Sequence, residues 1–381
     1  MKNNKIILKR NDNTGYIIVA FIIFAISLYG IAQVFFHGQE HSYGVSREVP
    51  FGLLLVGYAF FVGISVGLSV IATLSHVFKF EAFHIRSRHI ALLSFSSLIA
   101  AFFLIFWELG GPFDLQILRF IKYYLNFELT SPIWWMSTFY VFETPLLALE
   151  IYLLLRRDEK STFYAGILGF IIGIMAYSTL SMVFAVNAAK PLWHTSQFTI
   201  SFILGALICG GAVAILLLFL RKNKEPNREE SISAISKMLL FLLIVSTFIH
   251  IWTAIISSYG NNLLSETIEL VFSGPLAFNH VFFEIIIGIV LPFILLIVGN
   301  FKSLKLSALA SFFAIIGVFF TRYDSIIGGQ LIKVESAFLE KIEIGTYIPT
   351  FAEISIFIGA IGLTILIYEI GNRYLPLHEE D

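Results

Sequence analysis

Residues 16–36 read Tyr-Ile-Ile-Val-Ala-Phe-Ile-Ile-Phe-Ala-Ile-Ser-Leu-Tyr-Gly-Ile-Ala-Gln-Val-Phe-Phe, without one charged side chain. Wound as a helix at about 1.5 Å per residue, such a run is roughly 30 Å long, the thickness of a bilayer's hydrocarbon core. It is too long for a barrel strand of about 9–11 residues. No small-residue cleavage site follows it, so it reads as a membrane span and not as a cleaved signal peptide.

Runs of the same kind recur along the chain. They predict ten spans, at roughly 15–36, 50–77, 89–109, 132–155, 162–185, 195–220, 235–258, 277–299, 303–320 and 350–371. The composition agrees, because 57% of the 381 residues are hydrophobic and only 13% are charged. Soluble domains carry about 25% charged residues. The fold class expected is therefore an all-α polytopic membrane protein, a single integral membrane domain over residues 1–381. A net charge of −1 removes the basic footprint that nucleic-acid binding needs. The single cysteine, Cys209, lies inside an apolar run and excludes a disulfide framework or iron–sulfur ligation by this chain.

More than two thirds of the 25 lysines and arginines fall at the termini and in the even-numbered connections. By the positive-inside rule both termini are expected in the cytoplasm. The longer odd connections, 110–131, 259–276 and 321–349, then face outward. The odd connections together hold most loop acids, among them Glu40, Glu48, Asp114, Glu128, Glu266, Glu269, Asp324, Glu335, Glu340 and Glu343. An elaborated outer face suggests a docking surface.

An internal repeat is visible. Ser131-Pro132-Ile133 leads to Phe142-Glu143 in span four, as Gly274-Pro275-Leu276 leads to Phe283-Glu284 in span eight. Trp107 is echoed by Trp252, and Phe61–Gly67 by Phe202–Ala206. These suggest two four-helix bundles, spans 2–5 and 6–9 (about 50–185 and 195–320), with spans one and ten flanking them. Chance similarity among apolar helices is the competing explanation.

Ionisable groups inside spans are costly and mark function. Glu108, His194, His280, Glu284 and Glu353 fall in the outer parts of their helices, and Arg322 at the outer boundary. His280 and Glu284, four apart, share a helix face. They are either an interhelical hydrogen-bonding pair or a protonatable pair serving a polar ligand. Glu143 lies mid-span, where with Glu150 it could begin a proton path, although Glu150 beside Arg156 and Arg157 reads more simply as a snorkelling boundary charge. His250 lacks the paired histidines of a haem site; a structural role is the simplest reading, with proton relay next. Trp107 beside Glu108 could flank a flat ring, while Trp134, Trp135 and Trp193 suit an outer aromatic belt. Gly63 and Gly67 read as close helix packing.

Several segments together resemble the polysulfide-reductase membrane-subunit family, the NrfD-like proteins. They are Val49-Pro50-Phe51-Gly52 leading into Phe61–Gly67, His76-Val77-Phe78-Lys79-Phe80-Glu81, and Trp107-Glu108-Leu109-Gly110-Gly111-Pro112. Thr130-Ser131-Pro132 with Trp134-Trp135, Gly328-Gly329-Gln330, Tyr347–Glu353 and Asn372–Leu377 complete the set. The likeness covers roughly residues 45–377, and ten spans look like the longer branch. The position of Glu108 is usually aspartate in this family, and Gly111 stands where its turn usually has arginine.

The resemblance implies a multi-pass protein of a prokaryotic cell membrane. It implies menaquinone or a related quinone near the outer face, with no metal or haem bound by this chain. The implied partners are a ferredoxin-like iron–sulfur subunit on the outer face and a catalytic subunit, typically of molybdopterin type. The chain itself would be a non-catalytic or quinone-reactive subunit of such an oxidoreductase. On this reading Trp107, Glu108, His280, Glu284, Arg322 and Tyr323 contact or shape the quinone site, with Glu353 near its mouth. Glu143, His250 and Glu353 are the proton-transfer candidates. A stand-alone proton-coupled transporter is the alternative, motivated by mid-membrane Glu143, the repeat, Pro145 and Pro292. A purely structural anchor is the third reading.

Overall fold

Once such a chain enters hydrocarbon, each backbone N–H and C=O must find its partner within the protein, and an unbroken helix does this locally. The computed structural model describes residues 13–77, 87–111, 116–221, 228–259, 269–331 and 344–377. Among these, ten helices are long and apolar enough to cross a membrane: Thr14–His37, Leu53–Ser75, Ser87–Glu108, Pro132–Arg156, Glu159–Ala185, Ser196–Leu220, Arg228–Ser258, Asn279–Val298, Leu304–Leu331 and Phe351–Tyr374. They are called spans one to ten in that order. The loop acids Asp114, Glu266, Glu335, Glu340 and Glu343 and the motif residues 78–81 and Pro112 lie outside the described residues.

Local chemistry explains where the spans begin. Pro132 occupies the first turn of span four, where its missing N–H costs nothing. Arg157 takes a left-handed conformation (φ 57°) and Asp158 then accepts the Ser161 N–H (3.1 Å), so one tight turn ends span four and caps span five. Thr195 caps span six. At span ten Thr350 and Glu353 form a reciprocal capping box.

Span two is the centre of the bundle, since its whole apolar window is buried by protein. Spans three, five, six, nine and ten pack around it. Spans four and five pair closely, as do spans eight and nine, while span six packs on both seven and nine. Span one lies against span ten at the edge. Spans two and six meet through glycine: a Cβ on Gly67 would overlap the Ala206 carbonyl oxygen and stand 2.8 Å from the Gly210 nitrogen. Close approach of two backbones is the reason for both residues.

With ten spans the termini and the even connections share one face, and the odd connections share the other. On the terminal face Glu369 ties the bundle together. It receives Arg221 Nη2 from the end of span six (2.5 Å) and Asn13 Nδ2 (2.6 Å). The Arg221 guanidinium also lies over the Tyr368 ring, 5.4 Å from its centre.

The largest departure from expectation is span nine. The sequence suggests an end near residue 320, before Arg322-Tyr323-Asp324 and Gly328-Gly329, whereas the helix runs to Leu331. Arg322 is therefore not at a boundary but fully buried, and Asp324 is not a loop acid. Glu150 is likewise buried instead of snorkelling; Gly169 of span five leaves room for its carboxylate. Trp193 is no belt residue, because its ring is buried and its Nε1–H donates to the Ser325 carbonyl (2.9 Å) of span nine.

Gly67→Val is expected to destabilise the detergent-purified protein by about 1–3 kcal/mol, the usual cost of overpacking a tight contact. Gly15→Ala, where nothing lies within 4 Å, is expected to leave the thermal midpoint nearly unchanged. Comparing the two unfolding midpoints checks the close approach.

Candidate functional site

The buried ionisable groups on the odd-connection face form two neighbouring clusters, joined by span nine. The first gathers at the start of span two, where helical N–H groups have no partner within the helix and attract carboxylates. The Gly52 N–H points at Glu108 Oε1 (3.5 Å), at the last turn of span three. Leu53 N–H donates to Tyr347 Oη (2.6 Å) and lies 3.4 Å from Glu353 Oε1. A side chain on Gly52 would collide with the Glu353 carboxylate, so glycine is what lets these groups converge.

Glu353 is completely buried and fully used. Its Oε2 accepts the N–H groups of Gly44 (2.8 Å) and Thr350 (2.9 Å), and Oε1 accepts the Tyr347 hydroxyl (2.5 Å). Burial first, and then the Glu353 carboxylate, push the Tyr347 hydroxyl far above the ordinary tyrosine range. Tyr43 behaves alike: burial, then the Glu108 and Glu353 carboxylates, push its hydroxyl up, and it donates to the Trp107 carbonyl (3.0 Å). Both phenols therefore remain protonated donors at working pH.

Glu108 differs from Glu353. Its Oε2 is buried without a hydrogen-bond partner. Its backbone carbonyl is held by Gln39 Nε2 (2.5 Å), which fixes the helix end and aims the side chain. Trp107 is buried, and Gly111 packs against its ring in a left-handed conformation (φ 64°). The ring thus has backbone on one side.

Three consecutive residues of span nine point to three neighbours, as steps of about 100° require. Arg322 turns towards span six, where Nη2 donates to the carbonyls of Ser201 and Phe202 (both 2.8 Å) and the guanidinium lies 4.0 Å over the Phe202 ring. Tyr323 turns towards the first cluster, its ring 6.4 Å from that of Tyr347. Asp324 turns towards span eight. Gln330 then latches span nine to the chain before span two, its amide bonding both the N–H (2.8 Å) and the carbonyl (3.2 Å) of Phe51.

The second cluster lies between spans seven, eight and nine. Glu284 sits between His280 Nδ1 (3.3 Å) and His250 Nε2 (3.4 Å). His280, Glu284 and Asp324 each bring one donor atom within 4.8 Å of the others. Residues 279–290 of span eight form a π-helix, a wider winding found mostly at functional sites.

Of the residues predicted from sequence, Trp107, Glu108, Tyr323 and Glu353 belong to the first cluster, and His280, Glu284 and His250 to the second. Arg322 joins neither, being held by span six. Glu143 is in neither cluster; it is buried between spans four and five, and both its oxygens lack hydrogen-bond partners. Sequence reading missed Tyr43, Tyr347 and Gln330, and took Asp324 for a loop residue. The apolar spacing of Ile326 and Ile327 after Asp324 was the available sign that span nine continues.

The polysulphide reductase NrfD family model matches residues 41–335. The chain belongs to this family. It is also similar to three oxidoreductase subunits along most of its length. An Hdr-like menaquinol oxidoreductase integral membrane subunit of Archaeoglobus fulgidus is 24% identical, covering 97% of this chain and 95% of that one. A selenate reductase subunit of Mesobacillus selenatarsenatis is 22% identical over 86% and 85% of the two chains. A dimethyl sulfoxide reductase membrane subunit, assigned provisionally in Halobacterium salinarum, is 21% identical over 95% and 91%. With ten apolar helices and this membership, the chain is a multi-pass protein of a prokaryotic plasma membrane.

Glu353→Gln is expected to lower stability by about 2–4 kcal/mol, since it leaves buried donors unmatched. Tyr347→Phe should cost about 1–2 kcal/mol, and the double variant less than the two losses added together. Unfolding midpoints of the three purified variants would check this coupling.

Proposed function

We propose that this chain is the quinone-interacting membrane anchor of a respiratory oxidoreductase complex. It would pass electrons between a membrane quinone, menaquinone or a relative, and an iron–sulfur partner subunit bound to the odd-connection face. The lysine and arginine distribution supports an outward position for that face and a cytoplasmic one for both termini. All three relatives are named as subunits of oxidoreductases, which favours this reading over a carrier acting alone.

The observation that carries the site assignment is the buried Oε2 of Glu108, which has no hydrogen-bond partner. A quinone is a flat ring with two carbonyl oxygens, and it would supply a two-electron, two-proton redox couple. The first cluster fits such a group. Glu108 Oε2 can hold or release a proton there, and the Tyr323 ring can line one side. Glu353, already saturated by donors, would position Tyr347 and the start of span two without exchanging protons. His280 and Glu284, one helix away, would serve the same quinone through Tyr323 and Asp324, not by direct contact. Trp107 would brace the wall behind Glu108. Arg322 would hold span nine against span six, and so set the direction of Tyr323.

Glu108→Gln is expected to reduce quinone-linked turnover of the purified complex by at least about 100-fold. Activity of the catalytic partner with a soluble dye should be unchanged. Normal quinone turnover in that variant would remove Glu108 from the site.

A second reading adds proton translocation, favoured by Glu143 with its two unpartnered oxygens in the middle of span four. In vesicles containing the whole complex, Glu143→Gln should lower protons moved per electron while electron transfer continues. An unchanged ratio would exclude Glu143 from any such path.

A further inference from the structure

The second cluster gathers more acceptors than its side chains, with neutral histidines, have hydrogens to satisfy. His250 Nδ1 lies 2.7 Å from the Ser246 carbonyl, which can only accept, so this nitrogen carries the hydrogen. In neutral imidazole that leaves Nε2 as a bare lone pair, and it faces Glu284 Oε1 at 3.4 Å. On the other side His280 Nδ1 faces Glu284 Oε2 at 3.3 Å. Asp324, only 4% exposed, contributes two more oxygens, and neither has a hydrogen-bond partner. Two carboxylates buried this close are held together by a proton on one of them or by positive charge between them.

This is the donor pattern of a metal site. A tetrahedral ion with bonds of about 2.0–2.1 Å sets its ligand atoms about 3.3–3.4 Å apart; His280 Nδ1 and Glu284 Oε2 are 3.3 Å apart, and with Asp324 the three donors lie within 4.8 Å of one another, close enough for a bound ion to draw them in. Mixed imidazole and carboxylate donors select zinc and its neighbours over magnesium or calcium. One neutral histidine and two carboxylates carry −2, which a divalent ion neutralises.

We propose that His280, Glu284 and Asp324 bind one divalent transition-metal cation of the zinc class, cross-linking spans eight and nine, with His250 of span seven against the outer oxygen of Glu284. The site uses residues to which the quinone reading gives an indirect part, but it stands without that reading. It departs from the expectation that the chain itself binds no metal. His280 and Glu284 both lie in the π-helical stretch of residues 279–290.

The test uses the full chain, purified in detergent through a tag without histidine and stripped with a chelator. Cobalt(II) replaces zinc as a visible probe. The expected result is one cobalt per chain with a ligand-field band, displaced by zinc, and a higher thermal midpoint when either ion is present. Asp324→Asn and His280→Gln should each weaken binding at least tenfold, whereas Glu108→Gln should bind as the parent does. Absence of saturable cobalt binding to the folded parent chain would overturn the proposal, as would undiminished binding by Asp324→Asn. Should the variants fail to fold, copper(II) bound to the parent decides. Nitrogen hyperfine splitting from imidazole supports the site, and oxygen-only coordination rejects it.

Discussion

Span two has no lipid-facing side, and the rest of the bundle depends on that enclosure. A helix surrounded by five others must be narrow wherever a neighbour's backbone comes close, and Gly67 against Gly210 meets that need. Its N-terminal end is enclosed as well, so the N–H groups of Gly52 and Leu53 cannot turn to water. They recruit Glu108, Glu353 and Tyr347 instead. The convergence of ionisable groups at one point is thus a consequence of burying a helix start. Once Glu353 has taken the structural donors, Glu108 is left with a free oxygen, which is the chemically available group.

Span nine distributes the remaining functions. Because successive residues on a helix differ by about 100°, Arg322, Tyr323 and Asp324 address three different surroundings. A buried guanidinium spends its charge on two carbonyls and an aromatic face, which anchors the helix in rotation. With that rotation set, Tyr323 is directed to the first cluster and Asp324 to the second. The same residue triplet therefore couples two sites that share no side chain, and a twist of span nine would disturb both.

The ten spans, the even count and the polar character of positions 108, 143, 250, 280, 284 and 353 were all legible in the sequence. Each rests on a local signal: run length against bilayer thickness, or a charge where hydrocarbon penalises it. The end of span nine was not legible, since Arg322, Asp324 and the pair Gly328-Gly329 have the composition of a loop. Only the neighbours reverse that reading, by supplying carbonyls for Arg322 and the Phe51 backbone for Gln330. Tyr43 carried no mark in sequence and Tyr347 only its place in a family motif, because a loop tyrosine is ordinary until a buried carboxylate is found beside it.

What the sequence determined by itself is the solvent in which this protein folds and the set of groups that would be costly there. Those follow from composition and from helix length, which need no partner. Which costly groups meet was decided by tertiary structure alone. His250 and Glu284 are thirty-odd residues apart and Glu108 and Gly52 more than fifty, and contact at such separations is set by how helices pack. Packing also divided one apparent row of acids and histidines into a saturated carboxylate, a free one and a four-residue cluster.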